Sequence, residues 1–146
     1  MDPRRAFDFW VGEWEVRSAI GELAGTNRVD LVLDGAVLQE HWSGVRGLLG
    51  TSFSLYVPER AAWHQTWVDS NGSLLLLDGG MQDGAMVLEG EGASSEDPTA
   101  TIRHRISWSV VGDDPDRVRQ HWESSADGRA WETLFDGRYQ RIRAGS

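Results

Sequence analysis

The feature that most constrains this chain is its punctuation. Glycine and acid–glycine steps recur at short intervals: Gly21, Asp34-Gly35, Asn71-Gly72, Gly79-Gly80, Asp83-Gly84 and Asp127-Gly128. The runs between them are too short for a helical core and alternate with period two. In WEVRSA, Trp14 and Val16 share one face, while Glu13, Glu15 and Arg17 share the other. In NRVDLVL, Val29, Leu31 and Leu33 oppose Arg28 and Asp30. In AWETLFDGRYQR, Trp131, Thr133, Phe135 and Tyr139 oppose Glu132, Asp136 and Arg138. Period-two runs broken by regular turn signals predict an all-β sandwich or barrel. Asp34-Gly35 between two such runs predicts a tight hairpin, because both central residues of a type I′ turn need positive φ. Only PRRAFDFW, residues 3–10, reads as a short opening helix. GASSEDP, residues 92–98, reads as the one low-complexity loop. About nine or ten strands in one continuous meander most simply close on themselves, which removes exposed edges. The expected fold is a closed antiparallel up-and-down β-barrel with a short N-terminal helix, as a single domain over residues 1–146.

Composition narrows the chemistry. The 146 residues carry 23 acids and 14 bases, a net charge of -9, and every base is arginine. With no lysine, Schiff-base chemistry has no amine. With no cysteine, thiolate chemistry and disulfides are excluded. An acidic chain with scattered arginines lacks the clustered basic face that nucleic acid requires, so no nucleic-acid partner is expected. No apolar run has the length of a signal peptide or a membrane helix, so a cytoplasmic protein without a membrane partner is expected. G-x-S-x-G, H-E-x-x-H and glycine-rich phosphate loops are all absent. The acid pair Asp113-Asp114 falls in a turn and reads as solvated charge.

Taken in order, FDFWVGEWEV, WHQTWVD, GGMQDGAMVLEGE, RISW, VRQHWESSADG and FDGRYQR resemble a bacterial family of lipocalin-like (calycin-type) domains with no established activity. The resemblance spans nearly the whole chain, and its most specific part is the opening F-D-F-W-x-G-x-W. It implies a small up-and-down barrel with a short helix at one mouth. More distant barrels of this type include nitrobindin-like haem proteins, fatty-acid carriers and natural-product cyclases, among which fold analogy does not choose.

Eight tryptophans, at positions 10, 14, 42, 63, 67, 108, 122 and 131, make the facing of each strand the central question. Three of the four histidines adjoin a tryptophan: His41-Trp42, Trp63-His64 and His121-Trp122. Neighbours on a strand point to opposite faces. If the tryptophans face the lumen, these histidines face out and build no metal site; the reverse would leave large apolar patches in water. The inward phase collects Glu40 with Trp42; Trp63, Gln65 and Trp67; His104, Ile106 and Trp108; and Gln120 with Trp122. Trp14, Trp131, Phe135 and Tyr139 join on their own alternation. In TSFSLYV either phase is open from the residues alone. The resemblance favours Ser52, Ser54 and Tyr56 inward.

This inner set has the make-up of a ligand cavity, apolar walls with a few orienting polar groups. A lumen filled by its own side chains is the competing expectation. The expected function is binding of a small hydrophobic or aromatic ligand. Trp42, Tyr56, Trp63, Trp67, Trp108 and Trp122 would supply walls, and Gln65 and Gln120 hydrogen bonds. The alternative is a metal-free cyclase or isomerase in which Glu40 or His104 moves a proton; a carboxyl held among tryptophans is tuned toward a general acid. The plainer reading of Glu40 is a satisfied pair with an arginine or histidine. A partner-binding module would require tryptophans outside, at a dimer interface; outward histidines and acids argue for a monomer or a modest homodimer. No cofactor is expected. Haem would need His104 as axial ligand, the one inward histidine.

Overall fold

A computed structural model describes residues 2–94 and 96–143. Ten antiparallel strands follow one another: β1 (Gly12–Arg17), β2 (Leu23–Val32), β3 (Val37–Gly44), β4 (Leu49–Val57), β5 (Ala62–Asp69), β6 (Leu74–Gln82), β7 (Ala85–Ala93), β8 (Thr101–Val111), β9 (Asp114–Ser125) and β10 (Glu132–Arg141). Each pairs with the next, and β1 pairs with β10, so the sheet is a closed up-and-down barrel. At the seam Trp14 lies opposite Arg141 and Val16 opposite Tyr139. Arg141 fastens it further: its guanidinium lies 4.3 Å from the centre of the Trp14 ring, donates to the Val11 carbonyl at 2.8 Å and pairs with Asp116 at 3.0 Å.

The opening segment forms two 3-10 turns, Pro3–Arg5 and Asp8–Trp10, the first capped by the Asp2 side chain. They plug one end of the barrel. Phe7 and Trp10 are fully buried and stack on each other at 4.9 Å between ring centres. Phe7 meets the edges of Trp63 and Trp108, and Trp10 also packs on Trp108. The Trp63 indole donates back to the Pro3 carbonyl. Such tilted and offset ring pairs are the favoured geometries of aromatic packing.

The turns differ from expectation in instructive ways. Asp83-Gly84 is the two-residue hairpin, with φ of 50° and 83° between the paired Gln82 and Ala85. Asp34-Gly35 instead belongs to a four-residue loop in which Leu33 also takes positive φ, leaving Leu33 72% exposed rather than inward. Gly79-Gly80 is no turn; both residues lie within β6. A Cβ at Gly79 would collide with the backbone carbonyl of Val87 on the neighbouring strand, so glycine there permits a close approach of two backbones. Gly92 and Ala93 end β7, so the loop that follows starts at Ser94; Ser95 lies outside the described residues.

Facing follows the tryptophans. His41, His64 and His121 lie on the outer wall, paired with Asp30, with Asp78 and Thr66, and with Thr133 and Glu123. Among the described residues no cluster of metal-ligating side chains forms. On β4, Ser52 and Ser54 are buried and Phe53 is 44% exposed, so the polar phase faces in. Trp131 departs from its assigned face. A bulge between Thr133 and Phe135 shifts the phase of β10, and Trp131 lies on the outer wall under Arg105, 3.9 Å from guanidinium carbon to ring centre. The outer wall also exposes Phe53, Val68, Leu74 and Leu76 on three adjacent strands, an apolar patch that the expectation of a charged exterior missed. Among the described residues no helix is long and apolar enough to cross a membrane.

Gly79→Ala is expected to lower stability by about 1–3 kcal/mol, because a backbone rather than a flexible side chain must move. Gly80→Ala, whose added methyl would meet nothing, is the control and is expected to leave the melting temperature close to wild type. Equal melting temperatures for the two variants would contradict the close approach.

Candidate functional site

Successive inward residues on each strand fall at successive depths. Three tiers result. The lowest is the aromatic plug just described, with Trp63 and Trp108. The middle tier is polar: Asn27 on β2, Glu40 on β3, Ser52 on β4, Gln65 on β5, Gln120 on β9 and Tyr139 on β10. The upper tier is aromatic and half-buried, formed by Trp42, Trp67, Trp122 and Phe135. Between the middle and upper tiers lies a cavity of about 220 Å³, lined by Glu40, Trp42, Leu48, Gln65, Trp67, Leu75, Ile106, Gln120, Trp122, Phe135 and Tyr139.

The polar tier is one connected network. The two hydrogens of the Asn27 amide go to Glu40 Oε2 at 2.7 Å and to the Tyr139 hydroxyl at 3.0 Å. The Ser52 hydroxyl donates to Glu40 Oε1 at 2.7 Å. The Tyr139 hydroxyl, already accepting, donates to Gln120 Oε1 at 2.6 Å. Beside this chain, Gln65 Nε2 donates to Ser54 Oγ at 2.9 Å. The strand register explains the assembly: Asn27 lies opposite Trp14 and Trp42, Glu40 opposite Val29 and Ser52, and Ser54 opposite Gln65. Asn27 Oδ1 is buried without a partner.

Glu40 is the electrostatic centre. Neither an arginine nor a histidine pairs with it; its partners are the neutral Asn27 and Ser52. Burial pushes its carboxyl up to about 7, against the lowering effect of the Ser52 and Asn27 hydrogen bonds. Burial, and then the charge of Glu40, push the Tyr139 phenol well above its usual range. The outer wall is the reverse case. There, hydrogen bonds from Arg119 and then Arg138 hold the Asp136 carboxyl far below its usual value.

The residues singled out from sequence divide by depth. Glu40, Trp42, Gln65, Trp67, Gln120 and Trp122 line the cavity. Trp63 and Trp108 face inward but belong to the plug. Tyr56 packs edge-on to Trp63 at that same end and lines a shallow groove with Arg4, Arg5 and Pro58 instead. His104 is buried yet turned into the wall. Its Nδ1 accepts from the Trp122 indole at 3.1 Å and its Nε2 faces the Ala93 carbonyl at 3.0 Å. An accepting Nδ1 leaves Nε2–H as the donor, so both nitrogens are engaged. Haem does not fit these residues: His104 has no free nitrogen to ligate iron, and the cavity is too small for a porphyrin face. Asn27, Tyr139's hydroxyl role and the rim residue Leu48 were not singled out as site residues. Asn27 shares the parity of Val29, which was the available signal.

Glycines keep the cavity from being filled. A Cβ at Gly50 would strike the ring of Trp67, and one at Gly25 the ring of Trp42 and the carbonyl of Ser43. Each large ring therefore packs against a glycine on the adjoining strand. The Trp67 ring is also tied outward, its indole donating to Asp69 at 3.0 Å.

Glu40 imposes a specific pH dependence on folding. Its carboxyl is raised in the folded chain from 4.5 to about 7, so above 4.5 the unfolded chain ionises first and stability falls as pH rises toward 7. The full cost is about 3 kcal/mol, because each tenfold change in proton affinity is worth roughly 1.4 kcal/mol. Glu40→Gln removes it. Its melting temperature relative to wild type is therefore expected to rise between pH 5 and pH 8, and a difference unchanged across that range would refute the assignment.

No family model matches the chain, and no curated protein matches it.

Proposed function

We propose that the protein binds a small, partly aromatic molecule in the barrel cavity, held between the polar tier and the aromatic rim. The observation that carries the reading is that the lumen is left unfilled. Protein interiors pack like organic crystals. The cavity opens between the half-buried rim rings, and side chains filling it would bury further apolar surface, so leaving it open forgoes stability. Chance packing does not keep such a space, whereas glycines set opposite two tryptophans do.

The cavity is also equipped for recognition. Gln65 Oε1 accepts no hydrogen bond and Gln120 Nε2 donates none among the described residues, so one acceptor and one donor are free at the cavity wall. Apolar walls with a few free polar groups suit a ligand oriented by hydrogen bonds. The volume lies below the ~300–1,000 Å³ of drug-sized sites, which limits the ligand to about one ring with a short substituent.

Native mass spectrometry of protein purified from its own host is expected to show a bound small molecule. Gly50→Ala, which forces the Trp67 ring into the lumen, is expected to lose it, and Trp67→Ala to weaken it by about tenfold through lost stacking and burial. A chain that carries nothing, and that neither indole nor propylbenzene stabilises against heat, would end the proposal.

The titration of Glu40 favours one second reading, a proton-transferring enzyme of the cyclase or isomerase kind. A carboxyl near 7 in a partly dry cavity is poised to give or take a proton. In that case Glu40→Gln abolishes turnover while the substrate still binds. His104 is a weaker candidate for the role, since both its nitrogens are bonded within the wall.

A further inference from the structure

We infer that the ligand is a compact organic cation, an ammonium group on a small apolar or aromatic body, with the ammonium seated against Glu40. This rests on the binding reading above and narrows it to a ligand class.

The first observation is a missing counter-charge. This chain has 14 arginines, and several of its other acids use them: Asp136 pairs with Arg119 and Arg138, Asp116 with Arg141, and Glu123 with Arg105. Glu40 is the buried exception. From β2 it faces Asn27, from β4 Ser52, from β5 Gln65, from β9 Gln120, and from β10 Tyr139, none of them cationic. Tyr139 is the other titratable group in this network, and its phenol is held in the neutral form. His104 on β8 is turned away toward Ala93 and Trp122. A buried carboxylate without a cation is costly, and a ligand that brings the cation offsets that cost on binding.

The second observation is the balance of the other groups at the cavity, where the Gln120 amide is a free donor among the described residues. Asn27 and Ser52 each donate to a different carboxylate oxygen, which favours the ionised form and leaves lone pairs on both oxygens. Gln65 adds a free acceptor oxygen at the same wall. The rim offers the faces of Trp42, Trp67 and Trp122, whose quadrupoles attract cations. An anionic ligand would find no arginine or lysine here and would meet Glu40. A neutral ligand would gain the walls but nothing from the charge.

Three isosteric probes separate the cases: 2-phenylethylammonium, propylbenzene and 3-phenylpropionate, measured by calorimetry on the intact protein. The expected order at pH 8 is the ammonium at least tenfold tighter than propylbenzene, with no binding of the carboxylate. An alkylammonium keeps its charge to about pH 10, as lysine does, so between pH 6 and 8 the ligand's charge is constant while the carboxyl it would touch, Glu40, ionises. Ammonium affinity should then rise about tenfold over that range as Glu40 ionises, with protons released, while propylbenzene affinity stays flat. Glu40→Gln should abolish the preference and the pH dependence together, with near-ultraviolet circular dichroism of the tryptophans reporting its fold. The wild-type ranking and pH profile stand as tests on their own if that variant does not fold. If propylbenzene or phenylpropionate binds as tightly as the ammonium at pH 8, the cation is refuted and the cavity reading survives. If none of the three binds at millimolar concentration, both fall.

Discussion

The structure depends on closure of the barrel at the β1–β10 seam. An open meander of ten strands would expose two edges and have no inside. Pairing Trp14 with Arg141 and Val16 with Tyr139 removes both edges and creates a lumen with two ends. The same residues then serve the interior. Trp14 and Tyr139 pack edge to face at 5.8 Å just inside the seam, and the Tyr139 hydroxyl reaches the polar tier. Arg141, stacked on the Trp14 ring at the plugged end, ties the seam with bonds to Val11 and Asp116. Because Val11 directly follows the plug turn, the seam also sets where Phe7 and Trp10 enter the lumen. Closure, plug and polar tier are one mechanical unit.

The polar tier then divides the lumen by chemistry. Below it, packing is aromatic, and the indole nitrogens of Trp10 and Trp108 are buried without a partner. Above it, half-buried rings leave room. A network such as this is sound only when most members are bonded, and here Asn27 and Ser52 both donate to Glu40, while Asn27 also donates to Tyr139, which donates to Gln120. Its directionality matters. Asn27 gives its two amide hydrogens to Glu40 and Tyr139, while its carbonyl oxygen is buried without a partner. Exposed ion pairs elsewhere on the wall contribute little each, so the lumen rather than the surface is where this protein commits its electrostatics.

Much of this was legible in the sequence, and the losses have physical causes. Period-two alternation specifies a face, and it placed Glu40, Gln65, Gln120 and their tryptophans inward with the three histidines out. Alternation carries no depth. Trp63 and Trp67 read as equivalent, yet one is plug and the other rim, because a residue's height depends on strand register around the whole ring. Alternation also fails across a bulge. The extra residue at Leu134 turns Trp131 outward while Phe135 and Tyr139 stay in. Asn27 shares the parity of Val29, but a polar residue at the edge of an alternating run does not by itself mark a face. Gly79-Gly80 read as a turn, since a glycine that accommodates a neighbouring backbone looks the same in sequence as one that reverses the chain.

The glycines behind the rings have a consequence for how such a barrel changes its contents. Gly50 and Gly25 sit in the wall behind Trp67 and Trp42, so the width of the lumen is set from behind the rings. A methyl group at Gly50 meets the Trp67 ring first and would press that indole inward and narrow the space, whereas one at Gly25 meets the Ser43 carbonyl first and would also move backbone. Size and chemistry of the binding space are thus encoded at separate positions. The same scaffold can be retuned for a narrower or broader molecule by substitutions in its staves, while the carboxyl at its floor keeps the same neighbours.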